Sequence, residues 1–302
     1  MERITAVVVT YNRFELLKRA VKCLREQTRK LDNIIVVNNG STDGTKGWLD
    51  AQTDLDLIHQ DNVGGSGGFS RGIEYAYTQG YDWIWCMDDD VYPAEDCLEK
   101  LLSQTTADVG ILCPLRKQNG KIFVAEVKTF NLTNPFRSLH VNNLKEEDVL
   151  NGDFVSIEGM AFEGPLIKRD VVRNIGLPNK ELFILYDDSD YSYRTVQAGF
   201  TVKLVTKAIL YKELFFQEDC KEVIIRKGKW KLYYHIRNSV YFNKVYGHNF
   251  MVKFIRPIAL LFKYYFVLLY NIPRNNKYEC CDFSRFTRAY LDGIHGKLGK
   301  NN

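Results

Sequence analysis

The sequence carries no large excess of charge of either sign. Its 41 Lys and Arg against 37 Asp and Glu leave a formal net charge of +4, which excludes a protein that holds nucleic acid through a blanket of positive charge. Its seven Cys (Cys23, Cys86, Cys97, Cys113, Cys220, Cys280 and Cys281) form no C-x-x-C pair and have no His at zinc-finger spacing. Reduced thiols in a cytosolic protein are therefore expected. The N-terminus, MERITAVVV, enters an apolar run without a basic leader or a small-residue cleavage site, which predicts no export. No membrane span stands out either: the longest candidate, residues 257–272, is shorter than the roughly 20 residues a span needs and carries Lys263 at its middle. Internal repeats, low-complexity tracts, a P-loop and a G-x-G-x-x-G after the first strand are all absent.

What remains is the balance of a folded protein, 45% hydrophobic and 26% charged residues. It has an aromatic load of 13%, with 18 Tyr and 18 Phe. The first half alternates between strands and helices. Residues 4–9 are an unbroken, Val-rich strand, and Phe14, Leu17, Val21 and Leu24 follow at helical spacing. Residues 33–38 read as a second buried strand, followed by a turn, a short helix around Trp48 and a strand at 55–59. A Gly-rich loop then opens a helix predicted over 69–79, and a strand at 83–87 runs into three aspartates. A helix opening at Pro93 and a strand at 109–115 come next, then an irregular stretch to residue 153 with surface loops and a hairpin. Ordered structure over 154–168 and helices at 169–175 and 187–198 complete this part. Continuous apolar strands between amphipathic helices predict an α/β fold, its sheet mostly parallel and covered on both faces. From about residue 216 the rhythm gives way to long helical patterns, so the chain is divided into an α/β domain, 1–215, and a C-terminal helical region, 216–302.

The residues that carry chemistry lie at strand ends. Asp88, Asp89 and Asp90 follow an apolar strand; adjacent carboxylates repel one another there, and a divalent cation would neutralise them. The plain structural alternative is a solvated acidic turn or a cap for the Pro93 helix. Asn62, Gly64, Gly65, Ser66, Gly67 and Arg71 belong to the Gly-rich stretch, where backbone is free to approach a ligand and a helix N-terminus favours a phosphate. Thr10, Tyr11, Asn12 and Arg13 end the first strand and offer a ring to stack on a base and polar groups for its edge. A second acidic cluster, Asp187, Asp188 and Asp190 after Tyr186, reads either as a helix cap or as a general base for a substrate hydroxyl. One cluster for a metal and one for a proton are the minimum equipment for sugar transfer from a nucleotide donor.

Taken in order, NVGGSGGFSRG, the DDD triplet, LFILYDDSDYSYR and YYHIRN resemble the glycosyltransferase family 2 enzymes of the GT-A fold. Within that family they are most similar to the bacterial galactofuranosyltransferases. The resemblance covers roughly residues 3–238. It implies that Thr10 to Arg13, with Asn39, hold the nucleobase and that the stretch from Asn62 to Arg71 lies near the donor. Asp88 and Asp90 would bind Mn²⁺ or Mg²⁺ at the diphosphate beside Asp89. Asp188 would be the base of an inverting displacement, with Tyr186, Asp187 and Asp190 on the acceptor side. Lys212 stands where the galactofuranosyl enzymes place a metal-binding His. Either fewer protein groups hold the metal, with Glu213 among them, or Lys212 supplies charge to the diphosphate.

The implied activity is transfer of galactofuranose from its UDP donor to a lipid-linked or cell-surface glycan. The alternatives are a rhamnosyltransferase using a dTDP donor and a catalytically silent sugar-nucleotide or glycan-binding subunit. Residues 250–272 place Lys253, Arg256 and Lys263 on one side of an otherwise apolar helix, a pattern that suits either peripheral seating on the cytoplasmic face of the plasma membrane or a homo-oligomer contact. Phe283, Phe286, Tyr290, Ile294 and Leu298 form a stripe read as core, and His235, His248 and His295 are read as structural or surface residues.

Overall fold

Runs of β-branched residues set the first strands, and the spacing of leucines and valines sets the helices between them. In chain order these are β1 (Ile4–Thr10), α1 (Phe14–Arg25), β2 (Asn33–Asn38), α2 (Thr45–Asp50), β3 (Asp56–His59), α3 (Gly64–Thr78), β4 (Trp83–Asp88), β5 (Val91–Pro93) and α4 (Cys97–Leu102). They continue with β6 (Val109–Gln118), β7 (Lys121–Phe123), β8 (Val127–Thr129), β9 (Asn142–Asn143), α5 (Glu146–Val149), β10 (Phe154–Ser156), β11 (Leu166–Lys168), α6 (Arg169–Ile175), α7 (Asp187–Gln197) and β12 (Thr201–Lys212). The computed structural model describes residues 2–213, 228–274 and 278–301. The chain divides into two compact units, one made of residues up to Thr129 with Asn142–Lys180 and Asp187–Glu213, the other of Phe130–Val141, Glu181–Tyr186 and the described residues from 228 onward. The expected boundary near residue 216 lies outside the described residues.

The first unit is built on a mixed sheet of 10 strands in the order β10-β12-β6-β11-β4-β1-β2-β3, with β5 on β12 and β7 on β6. The neighbours β3, β2, β1 and β4 run parallel, as do β6 and β12, while β11 is antiparallel between β4 and β6. Alternate residues of β1 serve two cores. Val7 and Val9 pack with Phe69 and Ile73 of α3, while Ile4, Ala6 and Val8 pack with Leu17, Val21 and Leu24 of α1. Each fully buried Val, Leu or Ile contributes roughly 1.5–3 kcal/mol, so burial on both faces dominates the stability of this sheet. Register places Val9 opposite Asp88 and Thr10 opposite Asn38. The carboxyl ends of β1, β2 and β4 thus share one edge of the sheet, the edge where ligands bind in open α/β folds.

Two expectations are corrected here. Helix α3 begins at Gly64, not at residue 69, so the Gly-rich stretch is helical and not a loop. Its glycines are there for packing: a Cβ on Gly68 would lie 2.6 Å from Val9 Cγ1, and one on Gly72 would lie 2.3 Å from Val7 Cγ1. The helix therefore rests directly on β1, and this close seating outweighs the poor helix propensity of glycine. Pro93 opens no helix; it ends β5, which pairs antiparallel with β12, and α4 starts at Cys97. The aspartate triplet is accordingly not the cap of a helix.

The second unit is helical: α8 (Lys231–Tyr246), a π-helical turn (Met251–Ile255), α9 (Arg256–Asn271) and α10 (Cys281–His295). Tyr233, Ile236, Val240, Leu261, Leu268, Phe286 and Ala289 form its core, with Phe283, Tyr290 and Ile294 packed against it as the stripe implied; Leu298, counted in that stripe, lies beyond the end of α10 at His295. The expected basic stripe of residues 253, 256 and 263 is not continuous. Arg256 is buried, donating to Asn131 O (2.7 Å), Asn243 Oδ1 (2.9 Å) and Asn134 O (2.5 Å). The wider π turn just before it breaks the 100° phase on which the stripe was drawn. Lys263 does remain exposed. No described helix is long and apolar enough to cross a membrane. Six cysteines are free thiols, and Cys220 lies outside the described residues.

Candidate active site

Strand β4 delivers Asp88 to the shared sheet edge, and Asp89 and Asp90 form the turn into β5. Asp89 is buried and held from two sides: Thr10 Oγ1 donates to its Oδ2 at 2.7 Å, and Arg13 Nη1 donates to its Oδ1 at 3.0 Å. The same guanidinium nitrogen reaches Asp90 Oδ2 at 3.1 Å. Burial works against the charge on Arg13, but Asp89 and Asp90 more than compensate and raise its pKa. Asp90 Oδ1 is buried without a hydrogen-bond partner. Asp88 is partly buried, and its carboxyl titrates well above the usual range because of burial and then the charges of Asp90, Glu163 and Asp89, with Lys212 opposing. The turn is therefore short of positive charge.

The donor set suits a hard divalent ion in part. Among the described residues no group of three or more His, Cys, Asp or Glu is arranged to hold a metal. Asp88 and the unsatisfied Oδ1 of Asp90 nevertheless offer two oxygen ligands, and ions such as Mg²⁺ are commonly bound by one or two carboxylates, with phosphate oxygens and water completing the shell. Glu213, the other acid considered for this role, pairs through Oε2 with Arg19 at 3.1 Å.

The second acidic cluster opens α7. Asp190 Oδ2 accepts from Arg194 Nε at 2.9 Å, and Arg194 also donates to Ile175 O and Leu177 O, so this acid ties the helix to the turn after α6. Asp187 is buried and its pKa is raised by that burial, partly offset by the Ser66 hydroxyl. Asp188 is partly buried. Burial and the neighbouring Asp187 charge push its pKa up to about 7, against hydrogen bonds from Ser189, whose N lies 2.6 Å from Asp188 Oδ1. A carboxylate poised near neutrality on an accessible helix terminus is suited to accept a proton from a hydroxyl.

In the second unit, Tyr186 is buried among His140, His235 and Phe242, with ring centroids 6.0, 5.8 and 5.8 Å away. The segment before it bends through positive φ at Phe183 (65°), Leu185 (68°) and Tyr186 (67°). The YYHIRN element of α8 explains how that strain is held: Arg237 donates to Leu182 O at 2.9 Å, and Asn238 Nδ2 reaches the carbonyls of Leu182, Ile184 and Leu185 at 3.0, 2.9 and 2.8 Å.

The model of the family described as "Glycosyl transferase family 2" matches residues 5–176, more than half of the chain. The chain belongs to glycosyl transferase family 2. It is 31% identical over 208 residues to the galactofuranosyltransferase GlfT1 of Mycolicibacterium smegmatis, covering 66% of this chain and 67% of that protein. It is 24% identical to the dTDP-rhamnosyl transferase RfbF of Shigella flexneri, over 98% of this chain and 97% of that one. Among solved structures it resembles GalNAc-T7 with UDP, GalNAc and Mn²⁺, with a TM-score of 0.58 and 15% identity over 91% of this chain. The chain spans 58% of the length of that solved chain. At that identity the likeness concerns the fold, which is of the GT-A kind.

Against this family 2 frame, the residues singled out in the sequence fall into two groups. Thr10, Arg13, Asp88, Asp89 and Asp90 gather at one sheet edge, and Tyr11 stands 46% exposed beside them. Others serve the local backbone. Asn12 Oδ1 accepts from Thr42 N at 2.7 Å, and Asn39 Oδ1 accepts from Gln60 Nε2 at 3.0 Å. Asn62 Oδ1 accepts from Gly64 N at 3.0 Å, fixing the turn that leads into α3. A Cβ on Gly67 would meet Val63 Cγ2 at 2.5 Å, whereas Gly65 faces open space. Arg71 lies on the surface, paired with Glu74 at 2.8 Å. Lys212 ends β12 with its ammonium on Glu163. Glu163 itself, with Arg116 and Glu126, escaped the sequence reading. The available signal was a lone acid within the apolar stretch GMAFEGPLI and a lone Arg after the strand run VGILCPL.

Proposed function

We propose that the chain is an inverting glycosyltransferase that moves galactofuranose from UDP-galactofuranose to a lipid-linked or cell-surface glycan. The observation that carries this reading is Asp188, a partly exposed carboxyl in the first turn of α7 whose pKa burial and the neighbouring Asp187 charge push up to about 7. An acceptor hydroxyl oxygen attacks the anomeric carbon of the donor from the face opposite the nucleotide, while Asp188 takes the hydroxyl proton. The new glycosidic C–O bond forms as the bond to the diphosphate oxygen breaks, and the bonding pair leaves with the nucleoside diphosphate. Lys212 and Arg13 face the charge that collects on the departing phosphate. A divalent ion bound by Asp88 and Asp90 would act as a Lewis acid on the diphosphate. Tyr11 stacks on the nucleobase, and Thr10 and Arg13 fix the acidic turn beneath it. Asp187 borders the acceptor.

A second reading is favoured by a specific observation: the similarity to the dTDP-rhamnosyl transferase extends over 98% of this chain, including the helical region, whereas that to the galactofuranosyltransferase covers 66%. A thermal-shift screen of UDP-galactofuranose and dTDP-rhamnose with Mn²⁺ or Mg²⁺ decides between them, because a bound donor stabilises the fold by mass action. A shift with UDP-galactofuranose alone supports the first reading, a shift with dTDP-rhamnose alone the second. Binding without any turnover of donor would make the chain a silent sugar-nucleotide subunit.

We also propose that α9 seats the protein on the cytoplasmic face of an anionic membrane. In support, Phe262, Phe266, Leu269 and Tyr270 are exposed and line one groove with Lys263 and Arg274, and no acid occurs from residue 251 to 274. An apolar face flanked only by cations complements a bilayer with anionic headgroups better than it complements a second copy of itself.

A further inference from the structure

In the first unit four ionisable side chains form an alternating chain: Glu126, Arg116, Glu163 and Lys212. Arg116 Nη2 donates to Glu126 Oε1 at 2.6 Å, Arg116 Nη1 donates to Glu163 Oε2, and the Lys212 ammonium donates to Glu163 Oε1. The side chains of Arg116 and Glu126 are each 3% exposed, and those of Glu163 and Lys212 are 15% and 16% exposed. Sequestering four charges from water is costly, and apolar residues of similar volume are often as stable or more so, so the arrangement is not explained by stability. Its position offers another reason. Gly164, the residue after Glu163, donates its N–H to Cys86 O on β4 at 2.9 Å, two residues before Asp88, and the Glu163 charge is also felt by Asp188. Glu163 thus lies within electrostatic reach of both carboxylates to which donor and acceptor chemistry have been assigned. Burial would raise its own pKa, but Arg116 and Lys212 hold it below the usual range, so it stays ionised and keeps its grip on the ammonium.

We propose that Glu163 is a positioning residue that divides its carboxylate between Arg116 and Lys212, holding the Lys212 ammonium as a fixed cation for the diphosphate of a nucleotide sugar. The proposal rests on the functional reading above and names a residue that reading does not require. Arg116, anchored by Glu126, keeps Glu163 from swinging out with its partner. When a nucleoside diphosphate enters, its oxygens share Lys212 with Glu163, and the ammonium is already in place as the bond to the sugar breaks.

The test combines binding with a pH profile. Calorimetry gives the Kd of UDP and of dTDP for wild type, Glu163→Gln, Lys212→Met and Lys212→Arg, with a thermal melt to confirm folding. A lost charge-assisted contact is expected to weaken nucleotide binding by about tenfold or more in Glu163→Gln and Lys212→Met, with Lys212→Arg recovering most of it. The acid limb of kcat/KM for donor turnover moves to lower pH in Glu163→Gln, because the groups facing Asp188 are Asp187 and Ser189 on its own helix and Glu163 from the turn before β11, and one negative charge has been removed. A residue that merely filled space would not move that limb. Folded Glu163→Gln with unchanged nucleotide affinity and an unmoved acid limb overturns the proposal. If Glu163→Gln does not fold, unchanged affinity in Lys212→Met overturns it. Wild-type protein that binds neither nucleotide and turns over no donor overturns the functional reading and this proposal with it, a result distinct from a failure confined to the variants.

Discussion

Replacing Asp188 by Asn separates catalysis from stability, and both effects follow from one displaced pKa. With the group at about 7, the ionised fraction is roughly 90% at pH 8 and about 1% at pH 5, so kcat/KM for a reaction that uses it as base falls by about ninety-fold between them. Asp188→Asn removes the base altogether and is expected to lower kcat by roughly 10²- to 10⁴-fold at pH 8. Stability moves the other way. The folded-state pKa lies above the unfolded value, so the native state binds the proton more tightly and loses stability as pH rises from about 4 to about 7. The three-unit displacement corresponds to roughly 4 kcal/mol. Because Asp188 keeps part of its surface in water, solvent relieves some of that cost, and a gain of about 1–2 kcal/mol for the neutral amide is expected. That corresponds to a rise in Tm of roughly 2–8 °C. The gain is present above pH 7 and vanishes below pH 4. Calorimetric melts across pH 4–8 together with donor-turnover rates check both arms. A variant that keeps wild-type kcat, or one whose Tm at pH 8 is lower than that of wild type, would refute the reasoning.

Three further outcomes follow from the structure. Gly72→Ala places a methyl 2.3 Å from Val7 Cγ1. Overpacking of this kind costs about 1–3 kcal/mol, only partly offset by the better helix propensity of Ala, so the denaturant midpoint falls; an unchanged midpoint would mean α3 does not rest on β1 as described. Chelation should abolish donor turnover and Mn²⁺ or Mg²⁺ should restore it, while Asp88→Ala and Asp90→Ala lose the response to added metal; activity that survives thorough chelation removes the metal from the account. In sedimentation with vesicles, wild type is expected to bind phosphatidylglycerol vesicles and not phosphatidylcholine ones, and a Phe262→Ser, Phe266→Ser double variant to stay in solution. Concentration-dependent dimers, seen by ultracentrifugation and lost in that variant, would instead make the α9 face a contact between copies.

The strands nearest the site were legible because their chemistry is local. Residues 4–9 and 33–38 are short runs rich in Val and Ile, as strands buried on both faces require, and the acidic triplet could be placed at the mouth of β4 from the apolar run before it. The glycines after Val63 were misplaced because local propensity argues for a loop, whereas the deciding contacts come from Val7 and Val9, more than fifty residues earlier. Arg256 turned inward because a π turn shifted the helical phase, and no composition rule marks such a turn. Glu163 was missed for a similar reason: its partners Arg116 and Lys212 stand 47 and 49 residues away along the chain, and only the sheet order that sets β6 beside β12 and β11 brings them together.

The central claim, that this family 2 chain uses Asp188 as the base of sugar transfer from a nucleotide donor, is tested most directly by nucleoside diphosphate release. Wild type and Asp188→Asn are incubated with UDP-galactofuranose and, separately, dTDP-rhamnose, in the presence of Mn²⁺ or Mg²⁺ and a glycan acceptor. The account predicts acceptor-dependent release by wild type from one of the two donors, and release by Asp188→Asn lower by at least about a hundredfold. Equal release by the two proteins would contradict it.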